Sequence, residues 1–175
     1  MRFVITLLGR DRLGIVESFS RTVADHEGAW CESRIMQVDG QFGGVFQAEV
    51  PDGNADAFEA SLETSFQLEF KLAVARSEAS AEASPDRHPF EVTVLCGDRP
   101  RLLHKFAQLC TARQINILEL QTSLRPAAMT GLMMFEISAV GDSPEELDRT
   151  EFADALEALG EDVVVDFSDA GSAAS

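Results

Sequence analysis

The chain carries two copies of one pattern, and this constrains its fold more than any other feature. Shifted against itself by 87 residues, the spacing from Asp11 to Asp98, it matches in kind and order. Phe3, Ile5, Thr6 and Leu7 fall on Phe90, Val92, Thr93 and Val94. Asp11 and Arg12 fall on Asp98 and Arg99. Ile15, Val16 and Phe19 fall on Leu102, Leu103 and Phe106, and Glu32 falls on Glu119. The matched apolar positions keep one face of each element, as a shared core requires. Solenoid units repeat every 20–50 residues or so, so a period this long marks a duplicated domain.

Each copy reads as β-α-β-β-α-β. In the first, "RFVITLLG" is a short buried strand, and Ile15, Val16, Phe19 and Val23 recur at helical spacing until Gly28 stops the helix. "AWCESRIMQV" and "GGVFQAEV" are strands around Asp39-Gly40, a hairpin dipeptide. Phe42, Gly44, Phe46, Ala48 and Val50 alternate. A second helix carries Phe58, Leu62 and Phe66 on one face. "QLEFKLAVA" closes the copy as a strand with Leu68, Phe70, Leu72 and Val74 on one side. The second copy repeats the order: "PFEVTVLC", a helix through Leu102, Leu103, Phe106 and Cys110, then "NILELQTSL" and "GLMMFEISAV" joined by "RPAAMT". Its second helix is expected over "SPEELDRTEFADALEALG", capped by Ser143 with Pro144 at its first position, before the strand "EDVVVDF". The expected fold is α+β: two ferredoxin-like βαββαβ domains, each an antiparallel four-stranded sheet with both helices on one face. The boundaries are 1–75 for the first domain, 76–89 for a flexible linker rich in Ser, Ala and Glu, 90–168 for the second domain, and 169–175 for a disordered tail.

Composition narrows the function classes. The net charge is −16. Residues 1–76 carry 7 basic and 12 acidic side chains and residues 90–175 carry 6 and 15, so neither half offers a basic arm to a phosphate backbone. Direct nucleic-acid binding is therefore not expected. The first apolar stretch is too short for a signal peptide, and no run reaches the roughly 18 apolar residues of a membrane span. Three cysteines, Cys31, Cys96 and Cys110, are an odd number without an export signal. They point to free thiols in the cytoplasm, with Cys96 and Cys110 as small core residues.

The turn after the first strand leads straight into a helix. Such an N-terminus offers unpaired N–H groups and partial positive charge, which suit a carboxylate. Gly14 lets a small ligand approach the backbone, and Asp11 and Arg12 either fix the turn or supply a polar handle. Alternatively, Asp11 merely caps the helix and Gly14 is only a turn residue.

The stretch "GRDRLGIVESFSRTVADHEGAWCESR" resembles the first half of an ACT domain, whose pattern is G-x-D-x-x-G-I-V, a helix, then G-x-N-I at the start of the second strand. The resemblance implies a regulatory module that binds small amino acids where two domains pack side by side. It assigns ligand-binding roles to Asp11, Arg12, Leu13, Gly14, Ile15 and Val16, and to Asp98, Arg99, Arg101 and Leu102, with Pro100 among them. At the start of the second strand it falls on Ala29 and Trp30, and on Asn116 with Ile117. Each copy departs from the pattern in a different place. The first keeps Gly14 but has Ala29 where Asn is usual; the second keeps Asn116 but has Arg101 in place of glycine. Either one composite pocket joins the glycine turn of one copy to Asn116 of the other, or both sites have decayed.

No catalytic constellation, metal-ligand spacing or cofactor signature stands out. His26, His88 and His104 are expected at the surface or as caps. "GQFGG" sits in a hairpin, so it does not cradle phosphate. Met129, Met133 and Met134 could form an adaptable contact surface, although core packing is expected for Met133. The expectation is a non-enzymatic cytoplasmic regulator, monomeric or homodimeric. By resemblance it would sense a small amino acid such as glycine or serine and act through a transcription factor of glycine metabolism. A ligand-free interaction module and an acyl phosphate hydrolase are the alternatives.

Overall fold

Alternation of apolar and polar side chains writes the sheets of this protein, and the registers follow it. The computed structural model describes residues 1–77, 87–127 and 131–168. The chain divides into two units, Met1–Ala83 and Ser84–Ser175. The first holds strands β1 (Arg2–Arg10), β2 (Ala29–Val38), β3 (Gln41–Glu49) and β4 (Phe70–Ser77), with helices α1 (Ile15–Asp25) and α2 (Ala55–Phe66). The second holds β5 (His88–Gly97), β6 (Asn116–Pro126), β7 (Met133–Ser143) and β8 (Val164–Ser168), with α3 (Leu102–Ala112) and α4 (Arg149–Glu157). The strand orders are β2-β3-β1-β4 and β6-β7-β5-β8, antiparallel throughout. Each unit is a ferredoxin-like βαββαβ domain.

In β1, Phe3, Ile5 and Leu7 are fully buried while Val4, Thr6 and Leu8 face outward. Phe42, Phe46, Ala48 and Val50 join the same core, together with Ile15, Phe19 and Val23 of α1 and Phe58, Leu62 and Phe66 of α2. Aromatic rings dominate it: Phe19 stacks on Phe46 with centroids 4.3 Å apart, and Phe3 meets Phe58 edge-on at 5.1 Å. The second core is more aliphatic, built on Val92, Val94, Ile137 and Leu156 around Phe90, Phe106 and Phe152. Cys96 and Cys110 are buried in it, and burial pushes the Cys110 thiol up to about 11, so it stays protonated at neutral pH.

The duplication extends to fine detail. Both first helices end in a Schellman motif. Glu27 (φ 56°) and Gln114 (φ 56°) take left-handed conformations, and the following N–H groups of Gly28 and Ile115 donate to Val23 and Cys110, each at 2.9 Å. A bulge interrupts the second strand at the same place in both units, between Trp30 and Glu32 and between Ile117 and Glu119. The Asp39-Gly40 hairpin has positive φ at both residues, as a type I′ turn needs.

Several sequence expectations are corrected. The last helix does not begin at Ser143. That residue closes β7 opposite His88, because a residue before proline is held extended, and its hydroxyl donates to the Glu145 carbonyl. The true cap is Asp148, whose carboxylate accepts from the N–H groups of Thr150 and Glu151, both at 3.0 Å. Leu68 is not on the buried face of β4; it precedes the strand and is 96% exposed. Met133 is not core but 42% exposed: it shares the inward face of β7 with Phe135 and Ile137 but is the first residue of the strand, beyond the end of the buried run. Strand β4 runs through Arg76 and Ser77, and β5 begins at His88, so strands occupy both ends of the segment expected as linker. The remainder of that segment, Met129 and the tail at 169–175 lie outside the described residues. Replacing Asp148 with Ala should lower the stability of the second unit by about 1 kcal/mol in urea unfolding. Glu146→Ala, in the stretch expected to open the helix, should change it by less than about 0.5 kcal/mol.

Candidate functional site: two first turns built on one plan

In each unit the chain leaves the central strand and enters the first helix through one left-handed residue. Gly14 caps α1 at φ 89°, and Arg101 caps α3 at φ 65°. Neither helix receives a side-chain cap, so the first N–H groups of both face outward. Ile15 and Leu102 follow immediately and are buried, which anchors each helix to its sheet. Leu13 projects outward and is 98% exposed; Val16 is also exposed.

Asp11 does not cap the helix. Its N–H donates to the Gly40 carbonyl at 3.0 Å, and its carboxylate accepts from the Gln37 side chain at 3.1 Å. Asp98 likewise donates its N–H to Met133, at 3.1 Å. Both aspartates therefore pin the turn to the neighbouring hairpin. The arginines pin it on the other side. Arg12 Nε donates to Glu69 at 2.8 Å, and its guanidinium lies 5.8 Å from the centre of the Phe70 ring. Arg99 pairs with Asp162, whose carboxylate also accepts from the Gly97 N–H at 2.8 Å. Arg99 also covers Gly160 so closely that a Cβ there would clash with its guanidinium. The Asp-Arg pair is thus a two-sided brace on the turn, and its guanidinium groups are engaged within their own unit.

Sequence reasoning missed the two acids that complete these braces. Glu69 directly precedes Phe70, which opposes Gly9 on β1, and Asp162 holds the matching place before the last strand of the second unit. They lie 93 residues apart, not 87, because the hairpin between β6 and β7 is six residues longer than the one between β2 and β3: the paired residues Met36 and Gly43 are matched by Ser123 and Glu136. A fixed shift therefore cannot align them, although an acid just before the last strand of each copy is a signal the sequence does contain.

The start of the second strand is elsewhere. Arg10 at the end of β1 pairs with Gln41, whereas Ala29 pairs with Glu49, which pairs with Arg2. Eight residues at 3.3 Å separate the two ends of the strand by about 26 Å. The Gly14 turn and Ala29 therefore lie at opposite ends of one sheet, and so do the Arg101 turn and Asn116, which pairs with Asp142. Ala29 lines an open groove of about 620 Å³ with Arg2, Glu27, Glu49, Val50 and Pro51. Trp30 is half-buried against Phe19 and Phe46. Near Asn116, Arg87 ties Asp142 at 2.5 Å and donates to the Gln114 carbonyl at 3.0 Å. Of the histidines, His26 follows α1 and bridges to α2 through Thr22 and Ser61. Among the described residues, no group of three or more His, Cys, Asp and Glu side chains is placed to hold a metal ion, and no helix is long and apolar enough to cross a membrane.

Gly14 and Arg101 are a natural comparison. A left-handed backbone is unstrained for glycine and costs other residues roughly 1 kcal/mol. Arg101→Gly should therefore stabilise the second unit by about 0.5–1 kcal/mol in urea unfolding. A loss of stability would mean that the Arg101 side chain makes contacts that offset the strain.

With the geometry in place, the relatives are informative. The family model for the ACT domain matches residues 1–74. The glycine cleavage system transcriptional repressors of Escherichia coli (strain K12) and Shigella flexneri are each 27% identical over 156 residues, covering 89% of this chain and 82% of theirs. Among solved structures, a protein of unknown function from Galdieria sulphuraria aligns with a TM-score of 0.80 at 24% identity, over 95% of this chain and 96% of that one. A candidate glycine cleavage system transcriptional repressor aligns with a TM-score of 0.66 at 21% identity, over 96% and 97%. Residues 1–74 match the ACT domain, the second unit repeats the architecture of the first, and the chain is similar over most of its length to the glycine cleavage system transcriptional repressor.

Proposed function

We propose that the protein is a cytoplasmic regulator without catalytic activity that senses a small amino acid, glycine or serine, and acts through a protein partner controlling transcription of glycine-metabolism genes. The observation that carries this reading is the Gly14 turn. It is braced on both sides, ends in an uncapped helix N-terminus, and has open space where a side chain would be: a Cβ built on Gly14 meets nothing within 4 Å. That arrangement suits the carboxylate of a small zwitterion, with N–H donors and helix dipole directed at it. In this reading Arg101 has closed the equivalent turn of the second unit, leaving Asn116 as that unit's contribution. Because turn and strand start lie about 26 Å apart in one sheet, a site using both requires pairing of two ACT units. The relatedness to the glycine cleavage repressor supports the choice of ligand class and the route through transcription. The net charge of −16 supports a division of labour in which the partner, not this chain, touches DNA.

For the ligand to regulate anything, it must favour one state of the protein over another. A screen of the twenty amino acids by thermal shift, confirmed by calorimetry, tests the reading. Glycine or serine at 100 times its Kd should add about 2.7 kcal/mol and raise the melting temperature by roughly 5–10 °C. Gly14→Ala should weaken binding about tenfold or more, because the new methyl occupies the space left for ligand. No response to any amino acid would favour the ligand-free interaction module.

A further inference from the structure

The outer face of the first sheet, turned away from the helices, carries an apolar patch. Val4, Leu8, Met36, Val38 and Val45 all point to it and are 38% to 62% exposed. The second unit serves as an internal control, since it has the same strands in the same registers. There Val4 is matched by Glu91, Gly43 by Glu136, Met36 by Ser123, Val38 by Arg125 and Ala73 by Asp166. Five positions run the other way: Gln47, Lys71, Gln41, Arg34 and Arg10 are matched by Val140, Val164, Met134, Gln121 and Gly97. A sheet face of this fold that meets water can therefore carry charges, and the first unit has none on its two central strands between Val4 and Leu8 or between Gly43 and Gln47.

Gly43 gives an independent indication. It lies in the middle of β3, where glycine weakens a strand. Nothing in its own unit requires it: φ is not positive, and a Cβ there would touch only Met36, at an ordinary 3.5 Å. A glycine without a local reason in a strand marks a place that another surface approaches closely.

We infer that this face is where two copies of the chain pack, sheet against sheet. A two-fold axis parallel to the strands and midway between β3 and β1 lays β3 of one copy over β1 of the other. Leu8 then meets the partner's Gly43, and Thr6 meets the partner's Val45. On the flanks Ala73 meets the partner's Arg34 and Met36 meets the partner's Lys71, while Val4 meets the partner's Gln47. Four strands about 4.8 Å apart and about 27 Å long present roughly 500 Å² per copy. Two copies then bury close to 1,000 Å², the lower limit of a specific interface, so the dimer is concentration-dependent.

Sedimentation velocity of the full chain, without amino acid, is the test, and it does not depend on the ligand reading. Between about 1 and 300 µM the mass should rise from 19.0 kDa toward twice that value. Val4→Glu and Gly43→Glu install what the second unit already carries at those places, so folding, checked by circular dichroism, should be retained. Each should raise the dimer Kd about tenfold or more. A chain monomeric over the whole range overturns the inference. So does a dimer unmoved by both variants, which would have to form through another surface.

Discussion

Each unit depends on a single left-handed residue at the end of its first turn. A strand running along the sheet must reverse and climb onto one face within four residues. A positive φ at Gly14 or Arg101 makes that reversal, and the buried Ile15 or Leu102 that follows fixes the helix against the core. Were the angle different, Phe19 would not reach Phe46 and the aromatic stack of the first core would be lost. The braces from Asp11 and Arg12, and from Asp98 and Arg99, hold this geometry from the hairpin side and from the last-strand side. The exposed ion pair between Arg12 and Glu69 contributes little energy by itself. Its role is directional, and the stacking on Phe70 adds to it.

This constraint accounts for the repeated Asp-Arg turn and for its asymmetry. The brace is needed in both copies because both must make the same reversal, so the Asp-Arg pair is shared. The left-handed residue is glycine in one copy and arginine in the other, because the backbone tolerates arginine there at a modest cost. What glycine adds in the first copy is vacant space in front of helix N–H groups. The outer sheet faces have diverged as well: Glu91, Glu136 and Asp166 of the second unit stand where the first has Val4, Gly43 and Ala73. Duplication therefore produced two domains with one scaffold and different surfaces.

Much of the fold was legible in the sequence because it rests on periodicity and turn chemistry. The alternation through Phe42, Phe46 and Ala48, the Asp39-Gly40 hairpin and the helical spacing of Ile15, Phe19 and Val23 all reappear in the structure. The last helix misled because Ser143-Pro144 is a good helix-opening signal, yet strand pairing with β5 holds Ser143 and the cap passes to Asp148. The candidate site was less legible. Its motif residues could be named, but that Asp11 and Arg12 are engaged by Gln37, Gly40 and Glu69 depends on contacts between segments far apart in sequence. So does the separation of the turn from Ala29 to opposite ends of the sheet.

In the proposed function the Gly14 turn holds the ligand and the Arg101 turn does not. A ¹H–¹⁵N titration of the full chain with glycine and then serine, following backbone amides, tests it most directly. Large, saturable shifts at Gly14, Ile15 and Val16, with the amides of Arg101 and Leu102 little moved, are the predicted result. Saturable shifts centred on Arg101, or none at either turn, would contradict the account.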